Sequence, residues 1–342
     1  MNRNGKRRFY NSLGTSIKIR KRSIKKLVIE NGLFKEQRVK PYFDEDEIIK
    51  KINKSIFIND SDNFILKNFL HKNSYFRFNI YVKLMKDNEG ITISDVIRTY
   101  QLDEFIRENL FIFSTRLEIF WKKKIIDTLC AEYQESHLYH VSQCYLDKDL
   151  YSGDEWGQKV INDFSSFFYT NKSPNFKHHH NDKKNYLPIW ALVEELTFGQ
   201  LTTFISQIKP TYSSAWAMAC YNNPKYKSTL NSWMNVVRLY RNKSAHGSRI
   251  FGLKAVNVPQ IIRKDFKYYF PNKQEANLRK SYLYGALYVF KHLLIYEDNF
   301  TQRSWNRFLL ELNNRINLIS GLDQNLYGLP EDWFQKLRIM II

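Results

Sequence analysis

Apolar residues recur every three or four positions along most of this chain, the period of helices with one buried face. The clearest case is 94–134, where Phe105, Ile106, Leu110, Phe113, Leu117, Phe120, Trp121 and Ile125 form a stripe. A long helix is expected there, capped by Ser94 and broken near 101. Further upstream, Asp44 stands before Glu45, Asp46 and Glu47 and predicts the start of a helix over 44–54. A second helix is expected over 61–71, beginning at Ser61 or Asp62. The stretch 73–81 is dense in aromatics around Arg77. Core packing between helices is its first reading, and Arg77 is also a candidate phosphate contact. Pro188 suits a first helical turn and Gly199 the end of that helix. A helix over 226–243 buries Leu230, Trp233, Met234 and Val237. Helices over 273–296 and 301–319 follow, then a last turn at 327–333. No repeat of fixed period is present.

Composition agrees with a packed all-α protein. In 342 residues, 43% are hydrophobic and 16% aromatic, enough for a core, while 12 Gly and 8 Pro are too few for a turn-rich β fold. No stretch reaches the length of uncharged apolar chain needed to span a membrane, and the apolar run 27–29 is too short for a signal peptide core. Cys130, Cys144 and Cys220 are odd in number and form no CxxC, so they read as ordinary thiols of a cytoplasmic chain. The histidines at 178–180 lie among Lys177, Lys183 and Lys184, which would repel a cation. A solvated loop is expected there rather than a metal site. Neither a metal nor another cofactor is expected.

Charge changes the picture. The formal net charge is +19, and a polyanion is the usual partner for such an excess. Much of it sits at one end. Arg3, Lys6, Arg7, Arg8, Lys18, Arg20, Lys21, Arg22, Lys25 and Lys26 precede the first acid of the chain, Glu30. Residues 1–40 therefore read as a basic arm that neutralises RNA phosphates and orders on binding. The domain division expected is this arm, a helical region over 41–93, a main helical domain over 94–320 and a tail over 321–342.

The candidate chemistry lies at Arg241-Asn242-Lys243-Ser244-Ala245-His246, followed by Gly247. RNA is cut by its own 2′-hydroxyl when a base takes that proton, an acid protonates the 5′-oxygen and positive charge stabilises the transition state. Histidine suits either proton transfer, because its ordinary pKa of about 6.5 leaves both forms accessible. Arginine suits the charge. A five-residue step on a helix is about 140°, so Arg241 and His246 share no face of a regular helix. A helix that ends near Ala245, stopped by Gly247, suits the pair better. One histidine cannot serve both sides of the phosphate, and a symmetric dimer would supply two. The spacing alone also fits a protein that grips RNA without cutting it, or an interaction subunit whose charge serves solubility.

The residues around the motif resemble a known family. Four ordered blocks carry the likeness: 70–78, the stretch from Pro188 through Glu194 to Gly199, the motif 241–246, and 328–333. Arg116-Leu117-Glu118-Ile119 fits the same pattern. Together they are similar to the Abi-like family of bacterial abortive-infection proteins, of the AbiD/AbiF type, and the motif resembles the Arg-x4-His motif of HEPN ribonucleases. The likeness spans about 40–335. It departs at Ser244 and Gly247, where many relatives carry Cys and His. It implies a HEPN-type helical bundle, metal-independent cleavage leaving a 2′,3′-cyclic phosphate, a toxin that halts the host cell on phage infection, and a structured small RNA as regulator. Arg241 and His246 would then be catalytic and Asn242 a polar supporter. From the residues themselves, Lys243 and Arg77 are expected to contact RNA and a homodimer is expected as the working unit.

Overall fold

The computed structural model describes residues 9–10, 16–17, 25–31, 33–39, 42–170, 172–179 and 187–341. Its backbone divides into two compact units, 1–86 with 91–97, and 87–90 with 98–342. Helices supply nearly all of the regular structure, so the class is all-α.

In the first unit, strands β1 (Phe9–Tyr10) and β2 (Ser16–Ile17) pair antiparallel, as do β3 (Lys25–Glu30) and β4 (Leu33–Arg38). The second pair places 25–38 of the stretch read as a basic arm in a two-stranded antiparallel sheet. Glu30 pairs with Leu33, and Asn31 between them takes φ +52°. Asn-Gly at that place is a strong hairpin signal. Three helices follow: α1 (Glu45–Ile52), α2 (Asp60–Lys72) and α3 (Tyr75–Met85). Asp44 caps α1 in a full capping box, its Oδ1 accepting from the Glu47 N–H at 3.0 Å while Glu47 Oε2 accepts from the Asp44 N–H at 3.0 Å. Asn59, rather than Ser61 or Asp62, caps α2, by accepting from the Asp62 N–H. The aromatic stretch becomes α3, which buries Phe78 and Tyr81 and leaves Phe76 and Arg77 exposed.

The long helix α4 (Ile93–Glu132) is unbroken over 40 residues. Its cap is Thr92 rather than Ser94: Thr92 Oγ1 accepts from the Asp95 N–H at 3.2 Å, and Asp95 Oδ2 accepts from the Thr92 N–H at 3.2 Å. From Arg98 onward it belongs to the second unit, where Leu102, Ile106, Leu110, Phe113, Leu117, Trp121, Ile125 and Leu129 are all buried. Then come α5 (Asp154–Thr170), α6 (Pro174–Lys177), α7 (Ile189–Glu195), α8 (Phe198–Gln207), α9 (Pro210–Tyr221) and α10 (Tyr226–Ala245). The remainder is α11 (Phe266–Tyr269), α12 (Lys273–Arg279), α13 (Leu283–Leu294), α14 (Asn299–Asn317) and α15 (Trp333–Leu337). Helix α13 is buried on every side from Leu283 to Phe290 and forms the centre of the unit. Phe113 of α4 meets Trp305 of α14 with ring centroids 5.4 Å apart, and Trp121 stacks on Phe198 of α8 at 5.7 Å.

Two expected helices are divided differently. Gly199 does not end a helix. Thr197 and Gln200 form a capping box that starts α8, and Gly199 lies in its first turn. Pro188 stands one place earlier than expected, as the cap of α7. The helix expected over 273–296 breaks between Arg279 and Leu283, where the chain folds back so tightly that a Cβ on Gly285 would fall 2.1 Å from the Lys280 carbonyl oxygen. Only a glycine permits that approach. Of the histidines at 178–180, His178 caps α6 and His179 follows it. The rest of that stretch, to 186, lies outside the described residues.

Candidate active site

Helix α10 builds the site. Leu230, Trp233, Met234, Val237 and Tyr240 are buried against the second unit's core, and α10 packs on α8, α9 and α13. Trp233 Nε1 donates to the Gln260 carbonyl at 2.8 Å, tying the helix to the loop that follows it. Burial, with the Asp103 carboxylate adding to it, raises the Tyr240 phenol well above its ordinary range.

The helix ends as the sequence requires. Gly247 takes φ +58°, its N–H donates to the Ser244 carbonyl at 3.1 Å, and the Ser248 N–H reaches back to the Lys243 carbonyl at 2.8 Å. This is a Schellman stop with glycine at its left-handed position, and His246 is the C-cap. Beyond it the chain is clamped from α4. Both oxygens of the fully buried Asp103 accept backbone bonds, Oδ2 from the Ile250 N–H at 2.9 Å and Oδ1 from the Phe251 N–H at 2.7 Å, and Arg107 pairs with Oδ2 at 2.7 Å. The motif is thus held between a capped helix end and a buried carboxylate.

Arg241 and His246 point different ways, as the step of about 140° demands. Arg241 turns to α4. Its Nη2 lies 3.8 Å from Glu118 Oε2, and its guanidinium stands 5.8 Å from the centre of the Phe111 ring. Glu118 is 13% exposed, and its other oxygen faces Lys122 at 3.7 Å. His246 instead lines a concavity of about 420 Å³ with Asn235, Arg238, Asn242, Lys243 and Asn257. Among the described residues no carboxylate lines it. Two fixed cations, three side-chain amides and a histidine make a lining suited to a phosphodiester. On the other side of the helix end, Ser244 and Ala245 share a smaller concavity of about 340 Å³ with Phe111, Arg107, Glu104 and Glu108. Burial raises the Glu104 carboxyl above its ordinary range, against the pull of Arg107.

Buried polar atoms without a hydrogen-bond partner gather here: Tyr240 Oη, Arg241 Nε, Ser244 Oγ and Arg249 Nη1. Such atoms are costly and concentrate at functional sites. Among the described residues, no group of three or more His, Cys, Asp or Glu is placed to hold a metal ion.

Of the residues expected from sequence, the structure brings His246, Asn242 and Lys243 into one concavity and leaves Arg241 beside Glu118. Arg77 belongs to the other compact unit and is exposed there. Arg3, Lys6, Arg7, Arg8, Lys18, Arg20, Lys21 and Arg22 lie outside the described residues, and Lys25 and Lys26 are placed on β3 by their backbone only. Missing from the sequence reading were Asn235, Arg238, Asn257 and Asp103, together with the pairing role of Glu118. Counting back from His246 in helical steps reaches Asn242, Arg238 and Asn235 and would have found three of the concavity's residues. Nothing local marks Asp103 or Asn257.

Residues 68–252 match a family model described as Abi-like protein. That is more than half of the chain, and it includes α4, Glu118 and the whole of 241–246. The chain belongs to the Abi-like family. The match takes in three of the four blocks that carried the resemblance and stops short of 328–333. No curated protein and no solved structure matches the chain. Among the described residues, no helix is long and apolar enough to cross a membrane.

Proposed function

We propose that this Abi-like protein is a HEPN-type endoribonuclease that acts in abortive infection, with His246 as the proton carrier and Arg241 as the charge that stabilises the transition state. The observation that carries this reading is the seat of His246. The helix stop fixes its backbone at the edge of a concavity that is rich in cations and amides and free of carboxylates among the described residues, and its exposed side chain lines that concavity.

In the reaction, the 2′-oxygen attacks phosphorus and the bond from phosphorus to the 5′-oxygen breaks. A neutral histidine takes the 2′-proton, and a protonated one delivers a proton to the leaving 5′-oxygen. The products are a 2′,3′-cyclic phosphate and a 5′-hydroxyl. One His246 does not serve both sides, so the working unit in this proposal is a dimer in which two motifs face one phosphate. The exposed face of α4 beside the motif supports that arrangement. Phe111 (38% exposed), Ile112 (50%) and Ile119 (63%) stand on it at helical spacing, and Phe111 touches both Arg241 and the Ser244 concavity. The charge of +19 suits RNA as substrate and a structured small RNA as the restraining partner.

One observation favours a second reading, a protein that grips RNA without cutting it: Arg241 is paired with Glu118 rather than turned to His246. Induced expression separates the two. Growth arrest that disappears with Arg241→Ala or His246→Ala, while RNA still co-purifies, supports the nuclease. Arrest that persists in the double variant refutes it.

A further inference from the structure

A larger concavity of the second unit lies at the other end of α10. It has a volume of about 1130 Å³ and is formed by the start of α10, the loop 258–267 and Lys280. Five cations line it: Lys225, Arg263, Lys264, Lys267 and Lys280. Among the described residues no carboxylate lines it, and none of the five cations is in an ion pair. The nearest acid in sequence, Asp265, is turned away, with Oδ2 3.4 Å from His292 Nε2 and 3.4 Å from the Tyr288 hydroxyl. Pro259, Ile261 and Phe266 provide apolar surface in the same cleft.

The crowding is a second sign. Lys264, which shares the rim of the cleft with Lys225, pulls the Lys225 ammonium below the usual lysine range, with Asp265 opposing. Two ammonium groups this close repel, and a bound phosphate removes the repulsion. Helix α10 adds to this, since Lys225 makes no side-chain cap and the first-turn N–H groups carry the positive end of the helix dipole.

We propose that this cleft is a second RNA site, which takes the phosphates of a single-stranded segment on its rim of cations and rests bases on Phe266 and Ile261. The inference rests on the RNA reading above and adds to it a place and a length. Helix α10 has 20 residues, which puts its ends about 30 Å apart. An RNA that reaches from the cleft to His246 must span that distance, and a tetranucleotide is too short to do so. The site therefore selects long or structured RNA over fragments. A free nucleotide carries the same phosphate chemistry, so the test must separate it from a strand.

The experiment measures binding of a labelled single-stranded RNA of about 20 nucleotides to the full chain across about 50 to 200 mM salt. The variant is Lys225→Gln/Arg263→Gln/Lys264→Gln, whose three side chains are all exposed. Removing one cation from a phosphate flattens the log–log salt dependence by about 0.7, so the triple variant is expected to bind with a slope shallower by about two. The melting temperature should match the parent, and Lys225→Arg/Lys264→Arg should keep the parent slope. Equal affinity and equal slope in the parent and the triple variant overturn the cleft assignment and leave the RNA reading standing. A parent that binds no RNA at low salt overturns both. Displacement of the RNA by a mononucleotide as readily as by unlabelled strand overturns the assignment of a strand.

Discussion

The Arg241 guanidinium stands 3.8 Å from the Glu118 carboxylate across the α4–α10 contact. In the proposed reaction that carboxylate positions the arginine. It keeps the guanidinium at the α4 face over Phe111 and tunes how much of its charge reaches a phosphate. Glu118→Ala is expected to lower cleavage about tenfold through mispositioning, whereas Arg241→Ala removes the charge and costs about 10² to 10³. Single-turnover rates for the two variants check this. The Glu118 variant should also lose RNA affinity less than rate, which separates positioning from simple binding.

The α4 face gives a second expectation. Ile119→Glu places a charge on a 63% exposed apolar position next to Glu118 and should leave the fold intact. If two copies meet there, sedimentation will show a shift toward monomer, and cleavage will fall with it. Full activity in a monomeric variant would remove the need for a dimer.

The segment after the motif is held by Asp103. Asp103→Asn removes the carboxylate 2.7 Å from Arg107, leaving Glu104 at 3.9 Å, and disturbs two backbone bonds in a buried site, with an expected cost of about 3 to 5 kcal/mol. Gly247→Ala strains the left-handed stop and is expected to cost about 1 to 2 kcal/mol. Urea midpoints measure both, and the ranking matters more than either value.

Much of this was legible in the chain itself. The buried stripes of α4 and α10 follow from their periodicity, and the stop at Gly247 follows from one residue type at one place. Asp44 announced α1 because an N-cap is a local bond. What stayed hidden was of two kinds. Some signals are local, such as the Asn-Gly dipeptide at 31–32 and the Thr197–Gln200 capping box. Others are not local at all. The break before α13 depends on the approach of the Gly285 backbone to Lys280, and the partners Glu118 and Asp103 are brought to the motif only by packing α4 beside α10. Helical arithmetic placed Arg241 and His246 on different faces, but it could not say what each face would meet.

Glu297 gives the fold a pH dependence. Burial, with Asp298 adding and Arg116 opposing, pushes its carboxyl up from 4.5 to about 7. The folded state therefore holds this proton where the unfolded chain has lost it. The stability it contributes is fully present below about 4.5 and is lost as pH rises through about 7. Glu297→Gln is expected to remove that decline, seen as a flatter plot of melting temperature against pH between those values. An unchanged plot would show that Glu297 titrates normally.

The most direct test of the central claim is to map the ends of the RNA produced by the purified chain. The parent protein is expected to leave 2′,3′-cyclic phosphate and 5′-hydroxyl ends, and Arg241→Ala and His246→Ala are expected to leave the RNA intact while still binding it. The same fragments from the parent and from the double variant, or fragments ending in a 3′-hydroxyl and a 5′-phosphate, would contradict it.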